Sequence, residues 1–169
     1  TPVNVCRVCV VELDGSRTLV PSCSRRAEDG MVVHTDSERV RHSRKMVLEL
    51  LGSAVELDQA DQLARWNERY GADPGRYGPE PATMNEPIRI QDELYIRDYD
   101  RCVLCYRCVE ACGDDAQHTF AIAVSGRGFG TRISTEFDVE LPDSACVYCG
   151  NCIAVCPTGA LMAKTEFDL

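Results

Sequence analysis

The fold of this chain is decided by two stretches, Cys102-Val103-Leu104-Cys105-Tyr106-Arg107-Cys108-Val109-Glu110-Ala111-Cys112 and Cys146-Val147-Tyr148-Cys149-Gly150-Asn151-Cys152-Ile153-Ala154-Val155-Cys156-Pro157. Each has the spacing Cys-x2-Cys-x2-Cys-x3-Cys, and a proline follows the second; we call them the first and second cysteine motifs. Eight thiolates so spaced are typical of two 4Fe–4S cubanes. In such pairs three neighbouring cysteines hold one cube and the fourth ligates the other.

The motifs therefore predict two metal sites with exchanged ligands. Site I comprises Cys102, Cys105, Cys108 and Cys156. Site II comprises Cys112, Cys146, Cys149 and Cys152. This exchange makes the two motifs one folding unit, although residues 113–145 lie between them.

Two other uses of these cysteines fit the spacing less well. Structural zinc also takes four thiolates from Cys-x2-Cys pairs. Two zinc ions, however, give no reason for a third cysteine two residues further on, or for the repeated x3-Cys. A disulfide framework is disfavoured because the cysteines number 11, an odd count, and because no secretory signal peptide is visible.

Composition narrows the class of protein further. The length of 169 residues allows one or two domains. A net charge of -9 argues against nucleic acid and anionic membranes as partners. No apolar run approaches the roughly 18 residues of a membrane span. Thiolate ligands need a reducing compartment, so we expect a cytoplasmic protein.

A third cysteine group, Cys6, Cys9 and Cys23, precedes both motifs. The turn pair Asp14-Gly15 separates short runs of β-type residues and predicts a hairpin. We predict strands over residues 8–13, 18–20 and 31–34. This pattern looks like the C-terminal part of a β-grasp ferredoxin domain whose loop cysteines hold one 2Fe–2S cluster. The fourth ligand would lie upstream of Thr1; the alternative is a three-cysteine site completed by water or another residue.

The middle of the chain is predicted to be a helical connector. Thr35 and Glu38 have capping-box spacing, apolar residues then recur on one helical face, and Gly52 would end this helix. A second helix is predicted over residues 58–70, followed by a Pro- and Gly-rich linker over residues 71–87. Further strands are predicted over residues 88–96, 119–124 and 132–139, with a glycine-rich turn near a cluster between the last two.

These elements predict an α+β chain in three parts. Residues 1–36 form the partial 2Fe–2S ferredoxin domain, residues 37–87 the helical connector and linker, and residues 88–169 a bacterial-type 2×4Fe–4S ferredoxin domain. No activated nucleophile, carboxylate pair or nucleotide loop is recognisable, so we expect no catalytic centre on this chain.

Several residues near the motifs are candidates for tuning the clusters. We expect the backbone amides near Gly113 and Gly150 to donate to cluster sulfur, because glycine lets the backbone approach closely. Arg101 and Arg107 either favour the reduced clusters or are ordinary surface charges. Apolar residues of the motifs should exclude water from the cubes: Val103, Leu104, Val147, Ile153, Ala154 and Val155.

With these residues in view, the chain resembles the N-terminal iron–sulfur portion of NAD-dependent formate dehydrogenase catalytic subunits over most of its length. The resemblance rests on Cys6 to Glu12, Val20 to Cys23, and the two motifs, the second continuing into Thr158-Gly159-Ala160-Leu161-Met162. Similar portions occur in the large iron–sulfur subunit of complex I and in iron-only hydrogenases. Many relatives bind an additional 4Fe–4S cluster through His-x3-Cys-x2-Cys-x5-Cys, which this sequence lacks between Cys23 and Cys102.

The resemblance implies an electron-transfer subunit or fragment of an NAD-linked oxidoreductase, formate dehydrogenase above all. Its partners would be a molybdopterin-containing catalytic subunit or domain, with molybdenum or tungsten, and a flavin subunit that carries FMN and binds NAD, in a hetero-oligomer. Alternatives are a subunit of a hydrogenase or of a complex I-type NADH dehydrogenase, or a free ferredoxin-like carrier. A zinc-stabilised interaction module is the remaining option.

Overall fold

The computed structural model describes residues 2–169, beginning with a small antiparallel sheet. Its strands are β1 (Val10–Leu13), β2 (Val20–Pro21) and β3 (Val33–His34), in the order β2-β1-β3. In the register, Val10 faces Pro21 and Leu13 faces Val33. Val10, Val11 and Leu13 are buried, so both faces of β1 are covered. The strands are shorter than the predicted ranges 8–13, 18–20 and 31–34.

Helix α1 (Glu38–Gly52) packs against β1, and helix α2 (Asp61–Tyr70) packs against α1. Arg44 of α1 joins all three layers, since its guanidinium donates to the backbone carbonyl of Val10 (2.8 Å) and to the Tyr70 hydroxyl (2.6 Å). The prediction that Thr35 opens α1 is wrong. Ser37 is the N-cap, with its hydroxyl accepting from the Val40 amide at 3.3 Å.

The start of the linker is fastened to α1 through Glu49, whose side chain is 1% exposed. Its carboxylate accepts from the Asp73 amide at 3.2 Å and from Arg76 at 3.0 Å. Burial by itself would raise the pKa of Glu49, but the Asp73 hydrogen bond and the charges of Arg76 and Lys45 together lower it. A short 3-10 helix, Pro74–Tyr77, is thereby held against α1.

Replacing Glu49 by glutamine should lower the melting temperature by about 2–4 °C near neutral pH, because the attraction to Arg76 and Lys45 is lost. A carboxylate with a depressed pKa stabilises the fold above its ordinary pKa of 4.5. This contribution disappears as the pH falls below that value. The gap between variant and native protein should therefore persist from pH 8 to about 5 and then narrow.

Thermal unfolding followed by far-UV circular dichroism measures this difference, with Glu68→Gln as the matched control. Glu68 is an exposed carboxylate on α2, so its replacement should leave the melting temperature within about 1 °C of native. A Glu49→Gln effect that does not depend on pH would contradict this account.

The C-terminal part contains a second three-stranded antiparallel sheet. Its strands are β4 (Arg89–Ile90), β5 (Tyr95–Arg97) and β8 (Leu161–Ala163), in the order β4-β5-β8. Between β5 and β8 the chain forms the hairpin β6 (Ile122–Ser125) and β7 (Arg132–Thr135). The helices here are short: α3 (Arg107–Cys112), α4 (Asn151–Ala154) and α5 (Lys164–Phe167).

The strand predicted over residues 88–96 is two strands with a turn between them. Asp92 forms this turn, since its carboxylate accepts from the amides of Leu94 (2.7 Å) and Tyr95 (2.8 Å). The two strands pair, with Ile90 opposite Ile96. Ile96 is almost fully buried and anchors β5 in the core.

Arg101 joins the connector to the second sheet. Its guanidinium contacts Asp98 at 2.7 Å and also pairs with Asp58. Asp98 in turn accepts from the Asp100 amide at 3.1 Å and caps the 3-10 helix Tyr99–Arg101, which leads directly into the first cysteine motif.

Within residues 2–169, no helix combines the length and the apolar character that crossing a bilayer requires.

Candidate metal centres

The two cysteine motifs adopt the same backbone bend. Two residues in each loop have positive φ, at equivalent positions: Leu104 (51°) and Tyr106 (62°) in the first, Tyr148 (55°) and Gly150 (76°) in the second. A left-handed conformation costs roughly 1–2 kcal/mol for a residue other than glycine. Both loops therefore accept local strain in order to curl around a common centre, and a short helix follows each curl.

Site I surrounds one cavity. Cys102, Cys105 and Cys108 of the first motif line it together with Cys156 of the second. The cavity has a volume of ≈ 380 Å³, which includes the part that is open to solvent. The rest of its wall is mostly apolar: Tyr99, Val103, Leu104, Tyr106, Ile133, Pro157, Thr158, Ala160 and Leu161.

Site II surrounds a second cavity of similar size, ≈ 360 Å³. Cys146, Cys149 and Cys152 of the second motif line it together with Cys112, the last cysteine of the first motif. The structure thus brings together the two groups of four that the spacing predicts, including the exchange of Cys112 and Cys156. Four sulfurs around an otherwise apolar space are a donor set that suits an iron–sulfur cube.

Backbone amides point at several of these sulfurs. The Tyr148 amide donates to Cys146 Sγ at 3.4 Å, and the Leu104 amide makes the equivalent contact with Cys102. The amide of Gly113 itself donates to the Val109 carbonyl at 2.8 Å and completes α3. The donors come instead from residues that follow a cysteine within the curled loop.

Electrostatics disfavour bare thiolates in both cavities. Burial, with smaller contributions from the neighbouring cysteines, raises the pKa of Cys102 to about 11 and that of Cys152 to about 11. Burial and the same neighbours raise the pKa of the Cys108 thiol well above its ordinary range. Cationic iron bound by these sulfurs would offset both penalties, since a metal deprotonates a coordinating thiol.

One tyrosine outside the motifs holds the loop of site II. The Tyr95 hydroxyl donates to the Tyr148 carbonyl at 2.7 Å, and the two rings stack with centroids 5.5 Å apart. Tyr95 lies on β5, 51 residues before Cys146, so no local pattern indicated this role.

The apolar wall is only partly the predicted one. Val103 and Leu104 line site I as expected. Val147 is 54% exposed and lies at the rim of site II. Ile133 of β7 and Leu161 of β8 are buried and contribute wall residues that the sequence did not indicate.

The two candidate arginines differ in their surroundings. The Arg101 side chain is 14% exposed and is engaged by carboxylates, so it clamps the fold. Arg107 is exposed, and its charge lowers the pKa of Cys105, against the larger effect of burial, which raises it.

The N-terminal cysteines lie beside site I. Cys9 and Cys23 are within hydrogen-bond reach of each other. Burial opposes ionisation of Cys9, but hydrogen bonds from Cys23 and Ser22 lower its pKa overall. Cys6 and Cys9 line one cleft with Cys105 of site I. Trp66 lines the same cleft from α2.

No three His, Cys, Asp or Glu side chains within residues 2–169 converge as they would on one metal ion. A cube keeps its four thiolates apart because each one binds a different iron. The His34 ring is hydrogen-bonded to the Asp14 carboxylate at 2.7 Å.

Known families match both cysteine-containing parts of the chain. Residues 101–160 match the 4Fe-4S dicluster domain family. Residues 1–38 match the 2Fe-2S iron-sulfur cluster binding domain family. The chain therefore contains 4Fe–4S and 2Fe–2S ferredoxin-like domains, in a mixed α and β fold.

Two of the relatives are named as subunits of oxidoreductases. The chain is 39% identical to the NADP-reducing hydrogenase subunit HndD of Solidesulfovibrio fructosivorans, over 93% of this chain and 28% of that protein. It is 33% identical to the mitochondrial 78 kDa subunit of NADH-ubiquinone oxidoreductase from Candida albicans, over 94% of this chain and 22% of that protein. The chain thus spans about a quarter of the length of these relatives.

A solved structure has the same fold. A chain in the crystal structure of an NAD+-reducing [NiFe]-hydrogenase in the H2-reduced state matches with a TM-score of 0.76 and 26% identity. The match covers 95% of this chain and 70% of that one.

A Staphylococcus haemolyticus protein named provisionally as a formate dehydrogenase is 28% identical, over 95% of this chain and 17% of its own length. The chain therefore belongs to the family that these hydrogenase, NADH-ubiquinone oxidoreductase and formate dehydrogenase proteins share, and corresponds to its N-terminal iron–sulfur portion.

Proposed function

We propose that this chain is an electron relay with one 2Fe–2S cluster and two 4Fe–4S cubanes. The cubanes would be held by Cys102, Cys105, Cys108 and Cys156 at site I, and by Cys112, Cys146, Cys149 and Cys152 at site II. Cys6, Cys9 and Cys23 would supply three ligands of the 2Fe–2S cluster. The observation that carries the proposal is the pair of cavities, each lined by four cysteines drawn from both motifs.

The arrangement of the cysteines favours relay in series. Cys6 and Cys9 share a cleft with Cys105 of site I. On the other side of site I, Cys108 is close enough to Cys152 of site II for their charges to interact. The order along the molecule is then the N-terminal site, site I and site II. Clusters at these positions would supply one-electron redox chemistry.

The polypeptide would contribute ligation, insulation and hydrogen bonds. The buried wall residues of site I exclude water from the cavity, which keeps the local dielectric low. Amides such as those of Leu104 and Tyr148 stabilise negative charge on the ligand sulfurs.

The relay would operate inside an NAD(P)-linked oxidoreductase. One end would exchange electrons with a flavin/NAD-binding subunit and the other with a catalytic subunit, in a cytoplasmic hetero-oligomer. A molybdopterin-containing formate dehydrogenase is one candidate for the catalytic part. A hydrogenase is the second, and the higher identity to the hydrogenase subunit, 39% against 28%, favours it.

Anaerobic purification of the native protein with its accompanying subunits tests this proposal. We expect about ten iron atoms per chain, with matching acid-labile sulfide, and signals in low-temperature EPR after dithionite reduction. Nickel, di-iron or molybdenum in the same fractions would identify the catalytic partner. A colourless protein containing zinc would overturn the proposal. Elution as a single small protein would indicate a free electron carrier and contradict a relay inside a larger enzyme.

A further inference from the structure

Each of the two exchanged cysteines has a threonine hydroxyl near its sulfur. Thr119 Oγ1 lies 3.4 Å from Cys112 Sγ. Thr158 Oγ1 lies 3.9 Å from Cys156 Sγ. Thr119 lines the cavity of site II and Thr158 that of site I, so the hydroxyls take equivalent places in the two halves of the domain.

The position of Thr119 is fixed by the loop that follows α3. Its amide donates to the Cys112 carbonyl at 3.1 Å, so backbone and side chain both contact the same cysteine. The Gln117 amide donates to the Ala111 carbonyl at 3.2 Å and folds this loop back onto the helix. The hydroxyl is therefore held beside Cys112 rather than free to rotate into solvent.

Thr158 is held differently, by burial. It is 1% exposed and comes two residues after Cys156, directly behind Pro157. Its longer contact with sulfur makes a weaker hydrogen bond than the one at Thr119. The two sites thus differ in how strongly a side chain donates to the exchanged ligand.

The chemistry gives these contacts a direction. A thiolate bound to iron carries no proton, so the hydroxyl must be the donor and the sulfur the acceptor. Reduction adds negative charge to a cluster and its ligands. A donor at the ligand sulfur stabilises the reduced state more than the oxidised one, which raises the reduction potential.

We propose that Thr119 and Thr158 tune the reduction potentials of the cubanes at sites II and I, with the larger effect at Thr119. They are positioning residues, since they act through Cys112 and Cys156. The inference rests on the proposed function, because it requires cubanes at both sites.

Replacing Thr119 by valine removes the hydroxyl and keeps the shape of the side chain. At a fixed potential, the ratio of reduced to oxidised site II should fall about tenfold, a shift of about 59 mV to more negative potential for one electron. Site I should keep its native potential. Thr158→Val should shift site I in the same direction by a smaller amount.

Potentiometric titration followed by EPR measures both potentials in the native protein, with the signals assigned through Cys105→Ala and Cys149→Ala. Thr119→Ser keeps the hydroxyl and should titrate within about threefold of native, less than about 30 mV for one electron. Thr131→Val is the matched control, since the Thr131 hydroxyl donates to the Gly128 carbonyl at 2.8 Å in an exposed turn.

Two results would overturn the inference: unchanged potentials in Thr119→Val, or equal shifts in Thr119→Val and Thr119→Ser. Native protein without cubane signals would instead refute the proposed function. Iron content and circular dichroism of each variant separate a change in potential from a loss of fold.

Discussion

Replacing Cys156 by alanine should remove the cubane of site I and leave the cubane of site II in place. The reason is the exchange: Cys156 belongs to the second motif but lines the cavity of the first, with Cys102 and Cys105. With only three thiolates, the cube should lose its iron. We expect about four fewer iron atoms per chain and a residual EPR spectrum with one cubane signal.

Comparison of residual spectra tests the exchange directly. Cys156→Ala and Cys105→Ala should leave the same spectrum, that of site II. Cys112→Ala and Cys149→Ala should both leave the spectrum of site I. If Cys156→Ala instead matched Cys149→Ala, each motif would hold its own cube and the exchanged assignment would be wrong.

Replacing Asp98 by alanine should destabilise the fold by about 3 kcal/mol, because a partly buried guanidinium then loses its best-placed acceptor. The Asp98 side chain is 6% exposed, and that of Arg101 is 14% exposed. The replacement also removes the cap from the 3-10 helix that leads into Cys102. Asp58 remains as a partner for Arg101, which keeps the loss at the lower end of the range for a broken buried pair.

Urea unfolding followed by Trp66 fluorescence measures the destabilisation. Asp98→Asn keeps an acceptor for the cap and should lose only about half as much, since the charge alone is removed. Asp143→Ala replaces an exposed aspartate of another 3-10 helix and should change stability by about 0.5 kcal/mol at most. If Asp98→Ala lost no more stability than this control, the Asp98–Arg101 ion pair would not stabilise the fold as proposed.

The spacing of the cysteines predicted the local geometry of the two loops. The Cys-x2-Cys-x2-Cys runs define loops whose sulfurs necessarily face one centre, and the structure brings Cys112 and Cys156 to the opposite cavities as expected. The helices α1 and α2 followed from apolar periodicity, with α2 ending at Gly71 in the left-handed conformation. The ligand roles themselves, the three-part division of the chain and the β-grasp topology remain predictions.

Contacts between distant residues were beyond such patterns. Tyr95 supports the site II loop from a strand far earlier in the chain, and Ile133 reaches site I from the β6–β7 hairpin. The turn at Asp92 did carry a local signal, an aspartate between two polar residues, which apolar alternation over residues 88–96 concealed. The sequence also did not indicate that the Gly113 amide donates to the Val109 carbonyl at the end of α3.

The placement of Cys156 in the cavity of site I also constrains biosynthesis. Neither cube has its full set of four thiolates until the ribosome has translated the second motif. A nascent chain ending within residues 113–145 would offer three sulfurs at one centre and Cys112 as a stray nucleophile. Loading of a cluster at either site would therefore follow translation of residues 102–156 as a whole.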